Sequence, residues 1–243
     1  MYFIFFKFEY TYDKLLVNMA YDIKVLVDAI RNRNVADVER LIIMGADINK
    51  QTNDGYTLLH YASTNNVPNI IELLIKAGAD INKPDNDGNT PLHRAIHYNY
   101  LNIAELLINN GADINKSDKY GNTPLYHAIL ENNPNIVEML IKMGADVNKP
   151  NNKGDMPLQT IMKNKRKNKI HLLRIFINSG SNPNIQDKDG NTILHLYALD
   201  LFKTKNKNIK QNDMIDVLFR LGVDFEIKNK KGKTAKDILC NMI

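Results

Sequence analysis

The chain has a single cysteine, Cys240, in 243 residues. One thiol excludes an internal disulfide and any cysteine-cluster metal site, and a reducing interior is the plain expectation. Long apolar runs are also missing. The opening MYFIFFKFEYTY has no basic leader, its apolar run stops at Lys7, and it is too short to span a bilayer. Met19 opens what reads as an ordinary helix, MAYDIKVLVDAI, so residues 1–18 are expected to be a mis-called start or a frayed tail, with a weak interfacial segment as the other reading. Glycines never cluster as in the G-x-x-x-x-G-K loop that cradles phosphate. The six histidines lack metal-ligand spacing, and no nucleophile is paired with a base at a motif spacing. The reading is therefore a non-enzyme with no catalytic residue, no metal and no cofactor.

What is present is unevenly distributed. Net charge is +5, yet residues 163–243 hold 17 of the 32 Lys+Arg and only 8 of the 27 Asp+Glu. That leaves the first 162 residues net negative, and the last third carries the whole basic surplus. Its densest part is KNKRKNK, Lys163 to Lys169, followed by KTKNKNIKQN over 203–212.

The glycines that do not cluster recur. Gly55, Gly88, Gly121 and Gly154 are 33 apart, then Gly190 and Gly232 follow at 36 and 42; Gly45, Gly78, Gly111, Gly144, Gly180 and Gly222 stretch by the same amounts. The text repeats with them. NDGYTLLHYA, NDGNTPLHRA, KYGNTPLYHA, NKGDMPLQTI and KDGNTILHLY are each followed by an apolar block closing on Gly, such as IIELLIKAGADIN. Thr90–Pro91 and Thr123–Pro124 place an N-cap oxygen and a residue without N–H at a helix start, and Thr57 repeats the cap. Ile70, Leu73 and Leu74, with Ile103, Leu106 and Leu107 at the same phase, give a second helix one apolar stripe. A Gly then stands where a helix end needs positive φ, and Asn-Asp-Gly turns the chain back.

Period, motif and phase together resemble the ankyrin repeat over residues 22–243. The resemblance implies an all-α solenoid of stacked helix-turn-helix units with projecting β-hairpin or turn fingers. A single array over 19–243 is expected, with repeats at about 22–52, 53–85, 86–118, 119–151, 152–187 and 188–229 and a partial cap at 230–243. It also implies that the signature His60, His93 and His195 hydrogen-bond neighbouring loop backbone. Asp47, Asp80, Asp113 and Asp146 read as turn chemistry. Repeats 5 and 6 depart from the pattern, with Met156 for the capping Thr, Gln159 for His, Ile161 for Ala and Tyr197 in the small Ala slot. A looser or more curved C-terminal third is expected there.

For function, the resemblance implies a protein-interaction module, a scaffold, adaptor or inhibitor, that grips a folded partner through a concave face of finger tips and first helices. Residue by residue this face is Asn53, Asp54, Tyr56, Tyr61, Asp87, Asn89, Arg94, His97, Lys119, Tyr120, Asn122, His127, Lys153, Asp155 and Thr160. Tyrosine and arginine dominate interface hot spots, and half-buried packing between fingers is the equal alternative for each tyrosine. Lys50, Lys83, Lys116 and Lys149 form either a basic row or solvated surface. The extra residues of repeats 5 and 6 fall in the helix-to-helix turns, so Lys163, Lys165, Arg166, Lys167 and Lys169 are expected to sit beside Lys203, Lys205, Lys207 and Lys210 as one cationic edge. A solvated loop is the plainer reading of that edge; nucleic acid or an anionic surface is the alternative partner. The expected partner is another protein, with the chain a monomer. Richness in Asn, Lys and Ile suggests AT-rich coding. That fits an intracellular bacterium or a large DNA virus acting on host proteins, from the cytoplasm or after export into a host cell.

Overall fold

The computed structural model describes residues 22–163, 169–204, 217–220 and 222–240. It divides into two compact units, residues 1–119 and 120–243.

Among the described residues the first unit contains three helix pairs: α1 (Ile23–Arg31) with α2 (Val35–Ile43), α3 (Leu58–Thr64) with α4 (Pro68–Lys76), and α5 (Pro91–His97) with α6 (Leu101–Asn109). The caps read from sequence are in place. Thr57 and Thr90 each form a capping box with the histidine three residues on, and Pro68 and Pro91 sit in first turns. First helices pack on first helices, α1 on α3 and α3 on α5, and α2 packs on α4. The apolar stripes meet in this stack: Leu58, Leu59, Ile70, Ile71, Leu74, Leu92, Ile96, Ile103 and Leu107 are fully buried. No helix pair has two apolar faces of its own to bury, so the neighbour supplies the second.

The connections are held by side chains acting on backbone. Asp47, Asp80 and Asp113 each accept the N–H two residues on, at 2.9–3.0 Å, as expected of turn carboxylates. Asn49 then reaches the next unit: its Nδ2 donates to Gly78 O at 3.1 Å and its Oδ1 accepts from Asp80 N at 2.7 Å. Asn82 repeats the clamp on Gly111 O and Asp113 N. The fingers are turns, and no strand occurs among the described residues. Asp85 closes one finger by accepting from Asp87 N and Asn89 N, both at 2.9 Å. Successive fingers touch through single backbone bonds, Asn86 N to Asp54 O at 3.3 Å and Lys119 N to Asp87 O at 3.0 Å.

Among the described residues the second unit contains α7 (Pro124–Leu130), α8 (Pro134–Lys142), α9 (Pro157–Lys163), α10 (Lys169–Asn178), α11 (Ile193–Thr204) and α12 (Ala235–Cys240), and residues 217–220 are also helical. First helices stack as before, α7 on α9, α9 on α11 and α11 on α12. Here α11 runs five residues past the seven of a regular first helix. Part of the repeat 6 insertion is therefore absorbed as helix, which corrects the expectation that Lys203 lies in a loop: its backbone is in the last turn of α11.

The links between repeats 5 and 6 change character. Gln159 takes over the task of the missing histidine, its Nε2 donating to Ile185 O at 2.9 Å and lying 3.3 Å from Asn191 O. Asn148, however, makes no clamp on Gly180 among the described residues, whereas Asn184 makes the full clamp on Gly222 O and Asp224 N. A Cβ on Gly154 would meet nothing within 4 Å, while one on Gly121 or Gly190 would strike the next finger's backbone N at 2.5 or 2.7 Å. Tyr197 is buried in the Ala slot, and its Oη has no partner among the described residues.

Candidate functional site

The face expected to meet a partner is best developed in the first unit. Tyr56, from the finger ahead of α3, stacks on His60 at 5.4 Å between ring centroids and meets Tyr61 edge-on at 5.5 Å. The Arg94 guanidinium lies 4.7 Å over the Tyr56 ring, and Arg31 of α1 lies 5.5 Å over Tyr61. Three successive first helices thus contribute to one ladder, two adjoining rings flanked by a guanidinium at each end, a geometry in which each ring quadrupole faces a positive charge.

Arg94 is anchored from behind by Asp85. Its Nε is 3.1 Å from Asp85 Oδ2, and its Nη2 makes a shorter bond to the same oxygen. The Asp85 side chain is only 1% exposed. Burial pushes its carboxyl up, but Arg94 and the N–H groups of Asn89 and Asp87 outweigh that and hold it below the ordinary carboxylate value. Burial raises the Tyr56 phenol above its ordinary value, with Arg94 pulling the other way.

His60 serves structure. Its Nδ1 accepts from Thr57 N at 3.1 Å, so the ring proton sits on Nε2 and points to Asn89 O at 2.9 Å. Burial lowers its pKa, in keeping with an imidazole that must stay neutral to accept at Nδ1. His195 repeats the bridge to Lys233 O at 3.0 Å. His93 caps Thr90 in the same way, its Nδ1 accepting from Thr90 N.

The other expected positions are scattered in role. Asp87 pairs with Lys119, both about half exposed. Asn89 holds the finger turn through its N–H, and its carbonyl accepts the hydrogen bond from His60 Nε2. His97 is exposed and meets Tyr98 edge-on at 5.1 Å. In the second unit Tyr120 is 55% exposed, and its carbonyl accepts from Asn152 N at 2.9 Å. Asn122 accepts from Asn151 Nδ2, and His127 is half-buried. Thr160 leaves the set: it is buried and hydrogen-bonds the Tyr126 hydroxyl at 3.0 Å. Sequence reasoning missed Arg31, Asp85 and Tyr98. Tyr98 is 48% exposed and stacks on Tyr100; it follows the last residue of α5, beyond the signature positions used to map the face.

Of the basic edge, Lys163 reaches Asp155 at 2.6 Å and Lys169 reaches Asp200 at 3.2 Å. Lys165, Arg166, Lys167, Lys205, Lys207 and Lys210 lie outside the described residues. Among the described residues no cluster of His, Cys, Asp or Glu could hold a metal ion, and no helix is long and apolar enough to cross a membrane.

Two family models, both of ankyrin repeats, match residues 26–118 and 107–161, together more than half of the chain. The chain belongs to the ankyrin repeat family. Of the curated proteins, human TPR and ankyrin repeat-containing protein 1 is similar, 38% identical over 72 residues; the match is 27% of this chain and 2% of that protein. Among solved ankyrin arrays, the ankyrin repeat domain of Bcl-3, an IkappaB family member, superposes with a TM-score of 0.77, covering 88% of this chain and 96% of that one at 23% identity. At that identity the likeness is one of fold. Ankyrin repeats generally mediate protein–protein interaction and are typically non-enzymatic.

Proposed function

We infer that this ankyrin protein is a non-enzymatic interaction module that binds a folded partner through finger turns and first helices. The observation that carries this is the Arg31–Tyr61–Tyr56–Arg94 ladder: large rings and guanidinia, held rigid by Asp85 and His60, and presented part-exposed. Preorganised aromatic and arginine side chains lose little entropy on binding and make the strongest hot spots. Tyr98 and His97 extend the available contact area of the first unit, and Tyr120 is an exposed ring of the second. A monomer working in the cytoplasm, its own or a host's, fits such a module.

Arg94 is a poor probe of this face, because removing it strands the buried Asp85 carboxylate at a cost of roughly 3 kcal/mol or more. The test uses Tyr61→Ala, Tyr98→Ala and Tyr120→Ala together, in the full chain, with thermal unfolding as the folding control. Capture from candidate host lysate should lose specific partners with the triple variant. An identical partner set from variant and wild type refutes the assignment.

A further inference from the structure

The positions that form the face in repeat 3 recur at the far end of the chain with different chemistry. Counting from the turn glycines, Asp87 and Asn89 correspond to Asp189 and Asn191 and again to Lys231 and Lys233, while His97 corresponds to Leu199 and Arg94 to Ile238. In the second unit these side chains line one cleft of about 510 Å³. Its floor is apolar, from Leu199 of α11 and Ile238 of α12, and its outer lip is Lys231 and Lys233.

The lip continues as a cationic strip. Lys228, Lys230, Lys231, Lys233 and Lys236 are all exposed and form no ion pair with a described residue. Of the acids nearby, Asp189 lines the cleft opposite two lysines, and Asp237 is committed to capping, its Oδ2 accepting from Thr234 N at 2.8 Å. Backbone holds the lip in shape, with Asn229 Oδ1 accepting from Lys231 N at 3.0 Å and Lys233 N at 3.2 Å, and the Lys233 carbonyl accepting from His195. The lysines therefore point their charge from a fixed turn.

We propose that this cleft docks an acidic peptide segment of the partner, with an apolar side chain on Leu199 and Ile238 and its carboxylates along Lys231 and Lys233. The proposal rests on the concave-face reading above and gives the partner's chemistry at this end. Charge complementarity selects the occupant. A peptide supplies the apolar anchor the floor requires, whereas a nucleic acid finds no aromatic ring among the lining residues for a base to stack on.

The test is fluorescence anisotropy of a labelled Glu/Leu peptide on the full chain, beside a Lys/Leu peptide and a single-stranded oligonucleotide. The Glu/Leu peptide should bind, weaken with added salt, and lose roughly tenfold in affinity in the Lys231→Glu/Lys233→Glu variant. Leu199→Ala should cost roughly fivefold with the salt dependence kept. These residues are exposed or partly so, and unchanged unfolding curves would show the variants fold. Equal binding of the Lys/Leu peptide, no effect of the Lys variant, or tighter binding of the oligonucleotide overturns the proposal. The tyrosine triple variant separates the two readings: lost partner capture there, with Lys-independent peptide binding here, sinks the cleft and leaves the ladder face standing.

Discussion

Glycines at two recurring places look alike in sequence and differ in what they must do. Gly78 has φ +90° and open space around it, so it answers only to backbone conformation. Gly88 has φ +82°, and a Cβ there would lie 2.5 Å from Lys119 N. Gly78→Ala should therefore cost about 1 kcal/mol. Gly88→Ala should cost about 3 kcal/mol or more, since two backbones must also part. Urea unfolding of the two variants checks this, and equal losses would show that the finger yields. Both ladders were legible from spacing. A third was overlooked: Arg33, Asn66, Asn99 and Asn132, again 33 apart, all have positive φ between the helices of a pair. The signal was there, because Asn is the residue other than Gly that most readily takes that conformation. Asp85 was harder to find. Its contact with Arg94 depends on a side chain reaching back from finger to helix, which spacing does not report.

Between elements, the fold is joined by a few directed bonds laid over apolar packing, and these give a pH dependence. His60 accepts at Nδ1 and is buried, so the folded chain resists its protonation. As pH falls below the ordinary imidazole value of 6.5, the unfolded chain takes up the proton first and stability declines until the lowered folded value is passed. Asp85 acts in the same sense at lower pH: its stabilisation is full above the ordinary value of 3.8 and is lost as pH falls through the depressed one. His60→Gln should flatten the upper part of this profile, since Gln159 already makes the equivalent bridge to Asn191 O in repeat 5. Denaturant midpoints across the imidazole range decide it; an unchanged slope would place the protonation elsewhere. The helices, the caps and the bridges of His60 and His195 followed from the motif. That glutamine could replace histidine did not, because the substitution reads as a loss until the distances are seen.

At the scale of the molecule, the regular pattern lapses where loops 145–156 and 180–191 meet. Among the described residues Asn148 makes no clamp, Gly154 has room, and the buried Tyr197 hydroxyl has no partner. The departures at Met156, Gln159 and Tyr197 pointed here from sequence, and the geometry supports a looser junction. Hydrogen exchange should show amides of α9–α11 opening at lower free energy than those of α3–α5, and equal protection in repeats 3 and 6 would contradict it. The basic tracts stayed illegible for a different reason: charge without periodicity does not say whether a lysine is solvated, paired like Lys169 with Asp200, or waiting for a ligand.

The open space at Gly154 has a mechanical meaning. A stack of nearest-neighbour units carries tension through its weakest joint, and among the described residues this one lacks both the asparagine clamp and the close finger contact. Pulled from its ends, the second unit would part first between α9 and α11, a built-in fuse that spares the ladder of rings and guanidinia in the first.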